Sequence, residues 1–267
     1  MPFTLAHAAA ALPFRRTRLV FSAVVFGSFA PDFEYFLRLG PWGKFGHTWQ
    51  GLFVFDLPVG FVMLWLFHRY AKETLWRWLP REIRERVRLG PRRLPMKDVP
   101  ELMLVLVSIL AGSVTHIVWD SFTHPYYWPY RHWPLLSYEI PLPVVGGVPY
   151  YEVLQHLSTL IGLAVLAVWF MRRVRATAPE PVSSAGGARE RTIFWAAFAI
   201  AVLGGAIRTV AGMRATGLRL NNLGGFAGPH GAIVFCAEAG ITAISIFWVE
   251  TVVFGVVREW VRVVERR

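Results

Sequence analysis

The chain is almost devoid of cysteine and lacks the polar sequence that a soluble protein needs. Cys236 is its single cysteine, so an intramolecular disulfide is excluded. Only 17% of the 267 residues are charged, whereas 55% are hydrophobic and 15% are aromatic. A soluble domain of this length needs far more polar surface, and the composition is therefore that of a membrane protein.

Acidic residues are also scarce, with 17 Asp and Glu against 28 Lys and Arg. The net charge of +11 could suggest nucleic acid binding, but the basic residues occur in blocks between apolar segments. Such blocks are typical of the cytoplasmic ends of membrane helices, so no nucleic acid partner is expected. Basic residues follow the first short apolar stretch and do not precede it, which predicts that no signal peptide is present.

Six apolar segments predict an all-α fold, a polytopic bundle of transmembrane helices, because about 20 apolar residues cross the hydrocarbon layer. The segments are residues 19–37, 51–67, 102–122, 153–171, 193–213 and 232–257. Pro31, Asp32 and Glu34 interrupt the far end of the first segment. Residues 1–14 predict one further short helix, either re-entrant or interfacial.

Four basic blocks determine the predicted topology. They precede the first span, lie between residues 69 and 97, follow the fourth span, and close the chain. The positive-inside rule makes all four blocks cytoplasmic, and six alternating spans satisfy them together. We therefore expect a multi-pass protein of a prokaryotic-type plasma (inner) membrane with both termini cytoplasmic. The chain then divides into a four-span unit (1–176), a flexible cytoplasmic linker (177–191) and a two-span unit (192–267).

Ionisable residues inside membrane spans are costly, so each of them calls for an explanation. His116, Asp120 and His124 are spaced i, i+4 and i+8, which places them along one face of a helix. Two imidazoles beside a carboxylate suit zinc and related ions, because neutral nitrogen and carboxylate oxygen are good ligands. A buried, hydrogen-bonded pair explains the same spacing equally well.

The predicted topology brings further candidate ligands to one depth. At the helical rise of 1.5 Å per residue, Asp32 lies about 21 Å above Arg18, and His116 lies about 21 Å above Leu102, the start of the third span. Both positions fall in the outer leaflet. The other candidates at this level are His47 in an outer loop, Asp56 in the second span and His156 in the fourth span. Convergence from four spans favours a site over scattered structural residues, whereas His7 reaches this level only if residues 1–14 re-enter the membrane.

Five motifs along the first two thirds of the chain are specific in order and spacing. They are MPFTLAHAAAALPFRR, GSFAPDFEYFLR, GHTWQGLFVFDLPVG, GSVTHIVWDSFTHP and LQHLSTLIG. They resemble the prokaryotic membrane proteins of domain-of-unknown-function family 4184, which has no established activity. The pattern is also similar to that of membrane-bound metal-dependent hydrolases, themselves likened to zinc-dependent phospholipase C. This resemblance implies as metal ligands His7, Asp32, His47, His116 and Asp120.

Together these observations predict a membrane-embedded hydrolase for a lipid or another membrane-associated ester or phosphoester, working through metal-activated water. The expected cofactor is zinc, as one or two ions, and the expected ligands are His7, Asp32, His47, His116, Asp120 and His156. His124 or Asp56 would carry the proton, and an aromatic cap over residues 126–133 would shape access. The alternative is a transporter or channel that uses the same cluster for ions or protons. A third class is a scaffold whose polar residues hold helices together without a metal.

Overall fold

The described part of the protein is almost entirely helical. The computed structural model describes residues 3–91, 94–125, 127–142, 146–182, 187–215 and 228–265. Within these ranges the α-helices are α1 (Phe21–Gly27), α2 (Phe33–Arg38), α3 (Trp49–Gly51), α4 (Leu57–Leu66), α5 (Lys72–Trp78), α6 (Arg81–Arg84), α7 (Val99–Ser121), α8 (Trp128–His132), α9 (Pro134–Ser137), α10 (Tyr150–Ala176), α11 (Ala188–Ala215) and α12 (Gly228–Val264).

The described residues also contain 3-10 helices, π-helical turns and a β-hairpin. The 3-10 helices are Thr4–Arg16 and Ala30–Asp32, and the π-helical turns are Leu52–Asp56 and Phe67–Ala71. Strands β1 (Glu139–Leu142) and β2 (Gly146–Pro149) pair in antiparallel register, with Ile140 opposite Val148. The hairpin lies between α9 and α10.

Five helices of the described residues are long and apolar enough to cross a membrane. They are Trp49–Trp78, Val99–Ser121, Tyr150–Ala176, Ala188–Arg214 and Phe235–Val264. The first of them runs from α3 through α5 without a break, because the two π-helical turns widen the helix but do not end it. The prediction of an all-α, multi-pass membrane bundle is confirmed.

The segment 19–37, predicted as a sixth span, does not form one continuous helix. α1 ends at Gly27, a 3-10 turn occupies Ala30–Asp32, and α2 begins at Phe33. The physical reason is Pro31, which has no backbone N–H to donate and whose ring disfavours a regular helix on its N-terminal side. The segment is therefore present as two short helices on either side of the interruption that the sequence indicates at Pro31.

The N-terminal 3-10 helix packs against α1, α7 and α10. The backbone N–H of Phe3 donates to Thr159 Oγ1 at 3.0 Å, which ties the start of this helix to α10. At Gly162 of α10, a Cβ would lie 2.9 Å from the carbonyl oxygen of Ala6, so glycine permits the close approach. These contacts hold the short helix inside the packed structure.

Two backbone-to-backbone contacts join α1 to α7. A Cβ at Gly27 would lie 2.0 Å from the carbonyl oxygen of Ile109, and a Cβ at Gly112 would lie 2.1 Å from that of Val24. Small residues allow such close helix packing in membranes, where dispersion contacts replace the hydrophobic effect as the source of helix association. The contact brings the end of α1 against the turn of α7 that carries His116.

The chain divides into two compact units by its contacts. Unit 1 consists of Met1–Phe33, Lys44–Leu64 and Pro95–Ala176, and it contains every predicted site residue. Unit 2 consists of Glu34–Gly43, Trp65–Leu94 and Thr177–Arg267. The contacts thus place two segments, Glu34–Gly43 and Trp65–Leu94, with the C-terminal part of the chain. In the predicted linker 177–191, α11 already begins at Ala188, and residues 183–186 lie outside the described ranges.

Within unit 2, ion pairs connect α5, α11 and α12. Arg258 Nη2 lies 3.1 Å from Glu190 Oε2. Glu73 is 2.5 Å from Arg262 and 2.9 Å from Arg77. Their side chains are between one sixth and one third exposed, so these pairs are partly desolvated and less screened than surface pairs.

Candidate metal site

Five of the predicted ligands converge inside unit 1. His7 comes from the N-terminal 3-10 helix, Asp32 from the 3-10 turn before α2, His47 from the loop before α3, and His116 and Asp120 from α7. The side chain of His47 is 10% exposed, and the other four are at most 1% exposed. The cluster is thus closed on most sides by protein.

Two imidazole nitrogens form the centre of the cluster. His47 Nε2 and His116 Nε2 lie 3.3 Å apart. Asp120 Oδ2 lies 3.5 Å from the first nitrogen and 3.4 Å from the second. Asp32 Oδ1 lies 3.6 Å and 3.5 Å from the same two atoms. The four ligand atoms therefore form two triangles that share the nitrogen pair as an edge.

The edges of these triangles match those of a tetrahedral zinc site. With bonds of about 2.0–2.2 Å to nitrogen and oxygen, tetrahedral ligand atoms lie about 3.3–3.6 Å apart. Adjacent ligands of an octahedral ion with bonds of about 2.0–2.1 Å, such as magnesium, would lie closer, about 2.9 Å apart. The spacing of the ligand atoms in each triangle is therefore compatible with an ion of zinc size.

The second oxygen of Asp120 faces a further imidazole. His7 Nε2 lies 3.4 Å from Asp120 Oδ1, and the His7 ring stacks on the His116 ring with centroids 3.9 Å apart. His7, His116 and Asp120 also form a buried group whose ligand atoms lie within 4.8 Å of one another. Because the Nε2 lone pair of His116 binds one ion at a time, a second ion would rely on His7 and Asp120 Oδ1.

The backbone sets the tautomer of His116. Its Nδ1 lies 2.8 Å from the carbonyl oxygen of Ser28, which can only accept, so Nδ1 carries a proton. In the neutral form of the ring, Nε2 then holds the lone pair that faces the cluster. The break in the helix at Pro31 leaves the Ser28 carbonyl oxygen available to His116. The backbone N–H of Asp32 donates to the carbonyl oxygen of Phe29 and not to that of Ser28. The interruption of the predicted span thus orients a candidate ligand.

Several buried polar atoms of the cluster have no hydrogen-bond partner within the described ranges. They are Asp32 Oδ1, Asp120 Oδ1 and both ring nitrogens of His7. A buried carboxylate without compensation is costly, and proteins usually pair such a group or place it on a metal ion. The donor set, with neutral nitrogens and carboxylate oxygens, is one that divalent zinc prefers. The residues therefore fit a divalent metal ion.

His124 lies at the edge of the cluster. Its Nδ1 is 3.1 Å from the backbone carbonyl of Asp120 and 3.7 Å from Asp120 Oδ2, and its side chain is 11% exposed. Burial lowers the pKa of the His124 imidazole, and it lowers the pKa of His7 well below the ordinary value of 6.5. Both rings are therefore neutral at pH 7, the form that can bind a metal or accept a proton.

Two predicted site residues lie apart from this arrangement. Asp56 is fully buried in the π-helical turn, where its Oδ1 would lie 3.0 Å from a Cβ at Gly46, so it flanks the loop of His47. His156 is exposed on α10 and belongs to neither of the metal-binding groups found in the described residues. The prediction that His156 joins the cluster was therefore wrong, because a shared depth does not determine the direction of a side chain around the helix axis.

The aromatic cap is described in part. Trp128 and Trp133 are exposed, and the ring of Tyr127 packs edge-on to His124 with centroids 6.3 Å apart. Tyr126, the first residue of the predicted cap, lies outside the described residues. The ring of Tyr127 therefore flanks His124 at the edge of the cluster.

Sequence reasoning missed two residues that contact the candidate ligands. Thr4 Oγ1 donates to Asp32 Oδ2 at 2.6 Å, and Ser28 accepts from His116 through its backbone. Thr4 precedes His7 by three residues, which is one turn of a 3-10 helix, and this spacing was a usable signal. The role of Ser28 has no side-chain signal, because its carbonyl makes the contact.

Fold and site define a multi-pass helical membrane protein with a buried histidine and aspartate cluster. The chain belongs to the family described as domain of unknown function (DUF4184), whose model matches residues 1–256. The match confirms the family resemblance and includes every residue of the cluster. No curated protein and no solved structure matches the chain.

Proposed function

We propose that the protein is a membrane-embedded, metal-dependent hydrolase that acts on a lipid or another membrane-associated ester or phosphoester. The observation that carries this proposal is the pair of buried triangles formed by Asp32, His47, His116 and Asp120. Zinc is the proposed ion because the edges of both triangles fit tetrahedral bonds of zinc length. When bound, zinc would supply Lewis-acid chemistry that polarises an ester oxygen and raises the acidity of water.

The proposed proton carrier is His124. Its neutral ring lies next to Asp120 at the edge of the cluster, and the Asp120 carbonyl near Nδ1 holds the ring in place. Partial exposure allows this ring to exchange protons with substrate and water. Both carboxylate oxygens of Asp56 are buried beside the His47 loop, so we assign Asp56 to supporting that loop.

Substrate access is proposed from the side of the His47 loop and His124. The side chains of His47 and His124 are about one tenth exposed, whereas those of the remaining proposed ligands are buried. Exposed rings of Phe45, Trp49 and Phe53 flank the loop. Aromatic side chains of this kind favour the membrane interface, where they would meet the head-group region of a lipid.

The proposed location is a plasma (inner) membrane, with both termini cytoplasmic and the cluster toward the outer leaflet. The support comes from the basic blocks between the apolar segments and from five helices of spanning length. In this topology the interrupted segment from α1 to α2 crosses the membrane as a broken span, which is tolerated where the backbone is buried in protein.

Elemental analysis of wild-type and variant protein tests the proposal. Wild-type protein, purified in detergent without chelators, should retain one or two zinc ions and hydrolyse phospholipid in mixed micelles. His116→Ala and Asp120→Ala should each lose the metal and the activity, because ligands act as a unit. Single polar contacts between membrane helices contribute only about 0.6 kcal/mol, so both variants should stay folded and monodisperse.

His156→Ala is the matched control, since it removes an exposed histidine of the same unit that lies outside the cluster. It should keep wild-type metal content and turnover. Wild-type protein that binds no divalent metal would defeat the hydrolase proposal. Metal retained without turnover, together with ion flux in liposomes, would favour the transporter instead.

A further inference from the structure

We infer that Thr4 is a positioning residue that sets the metal affinity of the cluster through Asp32; this inference rests on the proposed metal site. Thr4 Oγ1 donates to Asp32 Oδ2 at 2.6 Å, and both side chains are buried. A hydrogen bond to a buried carboxylate is of the strong, charge-assisted kind. It occupies one oxygen of Asp32 and leaves the other, Oδ1, directed at His47 and His116.

The winding of the N-terminal helix explains how Thr4 reaches this position. A 3-10 helix has three residues per turn, so Thr4 and His7 lie directly above one another on the same face. Thr4 contacts one carboxylate of the cluster, and His7 contacts the other, Asp120. In an α-helix of 3.6 residues per turn, the same two side chains would be offset by about 60° around the axis.

The effect of the hydroxyl is on orientation. Within the described residues, Asp32 Oδ1 has no hydrogen-bond partner, so the bond from Thr4 to Oδ2 is what restrains the rotation of the carboxylate. Without it, Asp32 would turn between several orientations and would leave a second buried oxygen unpaired. Partners that orient metal ligands typically change metal affinity by about 10- to 100-fold.

Two substitutions at this position separate orientation from packing. Thr4→Val keeps the shape of the side chain and removes the donor, whereas Thr4→Ser keeps the donor and removes a methyl group. The matched control is Thr115→Val in α7, because the Thr115 hydroxyl bonds the carbonyl oxygen of Gly112 in its own helix at 2.7 Å. Thr4→Ala replaces Thr4→Val if the valine variant does not yield folded protein.

The experiment is zinc titration of the full-length, detergent-purified protein against a chelating dye, alongside thermal unfolding without metal. Thr4→Val should bind zinc about 10- to 100-fold more weakly than wild type. Thr4→Ser and Thr115→Val should bind like wild type. A loss of affinity in Thr4→Val that Thr4→Ser restores supports the inference, even if lipid hydrolysis is never observed and the hydrolase proposal fails.

Three outcomes overturn the inference. The first is equal zinc affinity in Thr4→Val and wild type, the second is binding by Thr4→Ser as weak as that of Thr4→Val, and the third is wild-type protein that binds no zinc. The first two leave the hydrolase proposal intact, because the metal and its turnover are then measured independently of Thr4. The third removes the hydrolase proposal as well.

Discussion

Replacing Gly112 with alanine tests whether the close contact between α1 and α7 sets the geometry of the metal site. The added Cβ would lie 2.1 Å from the carbonyl oxygen of Val24 and 2.7 Å from the backbone nitrogen of Ser28. Carbon and oxygen atoms in contact normally lie about 3.3 Å apart, so α1 must retreat by about 1 Å. The neighbours are backbone atoms, which cannot rotate out of the way.

The retreat would act on both stability and metal binding. Overpacking of a helix contact typically costs about 1–3 kcal/mol. The same displacement would carry the Ser28 carbonyl away from His116 Nδ1, which now lies 2.8 Å from it. At about 3.8 Å the hydrogen bond is lost, and with it the orientation of the ring. We therefore expect Gly112→Ala to weaken zinc binding by about 10- to 100-fold.

Thermal unfolding and zinc titration of the purified protein measure the two effects. Gly240→Ala in α12 is the matched control, because a Cβ at this helical glycine would meet nothing within 4 Å. That variant should bind zinc like wild type and be at least as stable, since alanine favours a helix over glycine. Wild-type stability and zinc affinity in Gly112→Ala would refute the reasoning.

Three further predictions follow from the charges and the edge of the site. Reporter fusions after Arg88 and after Ser137 should give opposite compartment signals, and matching signals would contradict the proposed topology. Glu190→Gln should lower the melting temperature, because Arg258 loses its charged partner at a cost of about 1–3 kcal/mol. The zinc content of this variant should not change, and loss of zinc would contradict the prediction. His124→Gln should retain zinc and lose at least 100-fold in lipid turnover, as expected for removal of a proton carrier, and unchanged turnover would exclude that role.

The membrane class and the spanning helices could be predicted from sequence because the signal is local. About 20 apolar residues are needed wherever a helix crosses the bilayer, and the segments 51–67, 102–122, 153–171, 193–213 and 232–257 meet this requirement. Each of them lies within or largely overlaps a helix of spanning length in the structure. The shared face of His116 and Asp120 is equally local, since four residues make about one helical turn.

The segment 19–37 shows where local rules stop. Its apolar length predicts a span, and Pro31 marks the interruption. Neither feature indicates which partners the backbone carbonyl groups before Pro31 find once the helix is interrupted. In the structure the carbonyl of Ser28 bonds His116, and the carbonyl of Gly27 accepts from Ser113 Oγ. These partners are 88 and 86 residues away along the chain, so their meeting depends on how α1 packs on α7.

The rise of a helix gives the position of a residue along the helix axis, but it does not give the direction of the side chain relative to neighbouring helices. His156 shares the predicted depth of the cluster but is exposed on α10. His7, which simple geometry leaves in doubt, is buried because its 3-10 helix packs among α1, α7 and α10. Sequence periodicity shows which residues share a face of one helix, but the face that meets another helix depends on side-chain packing between distant segments.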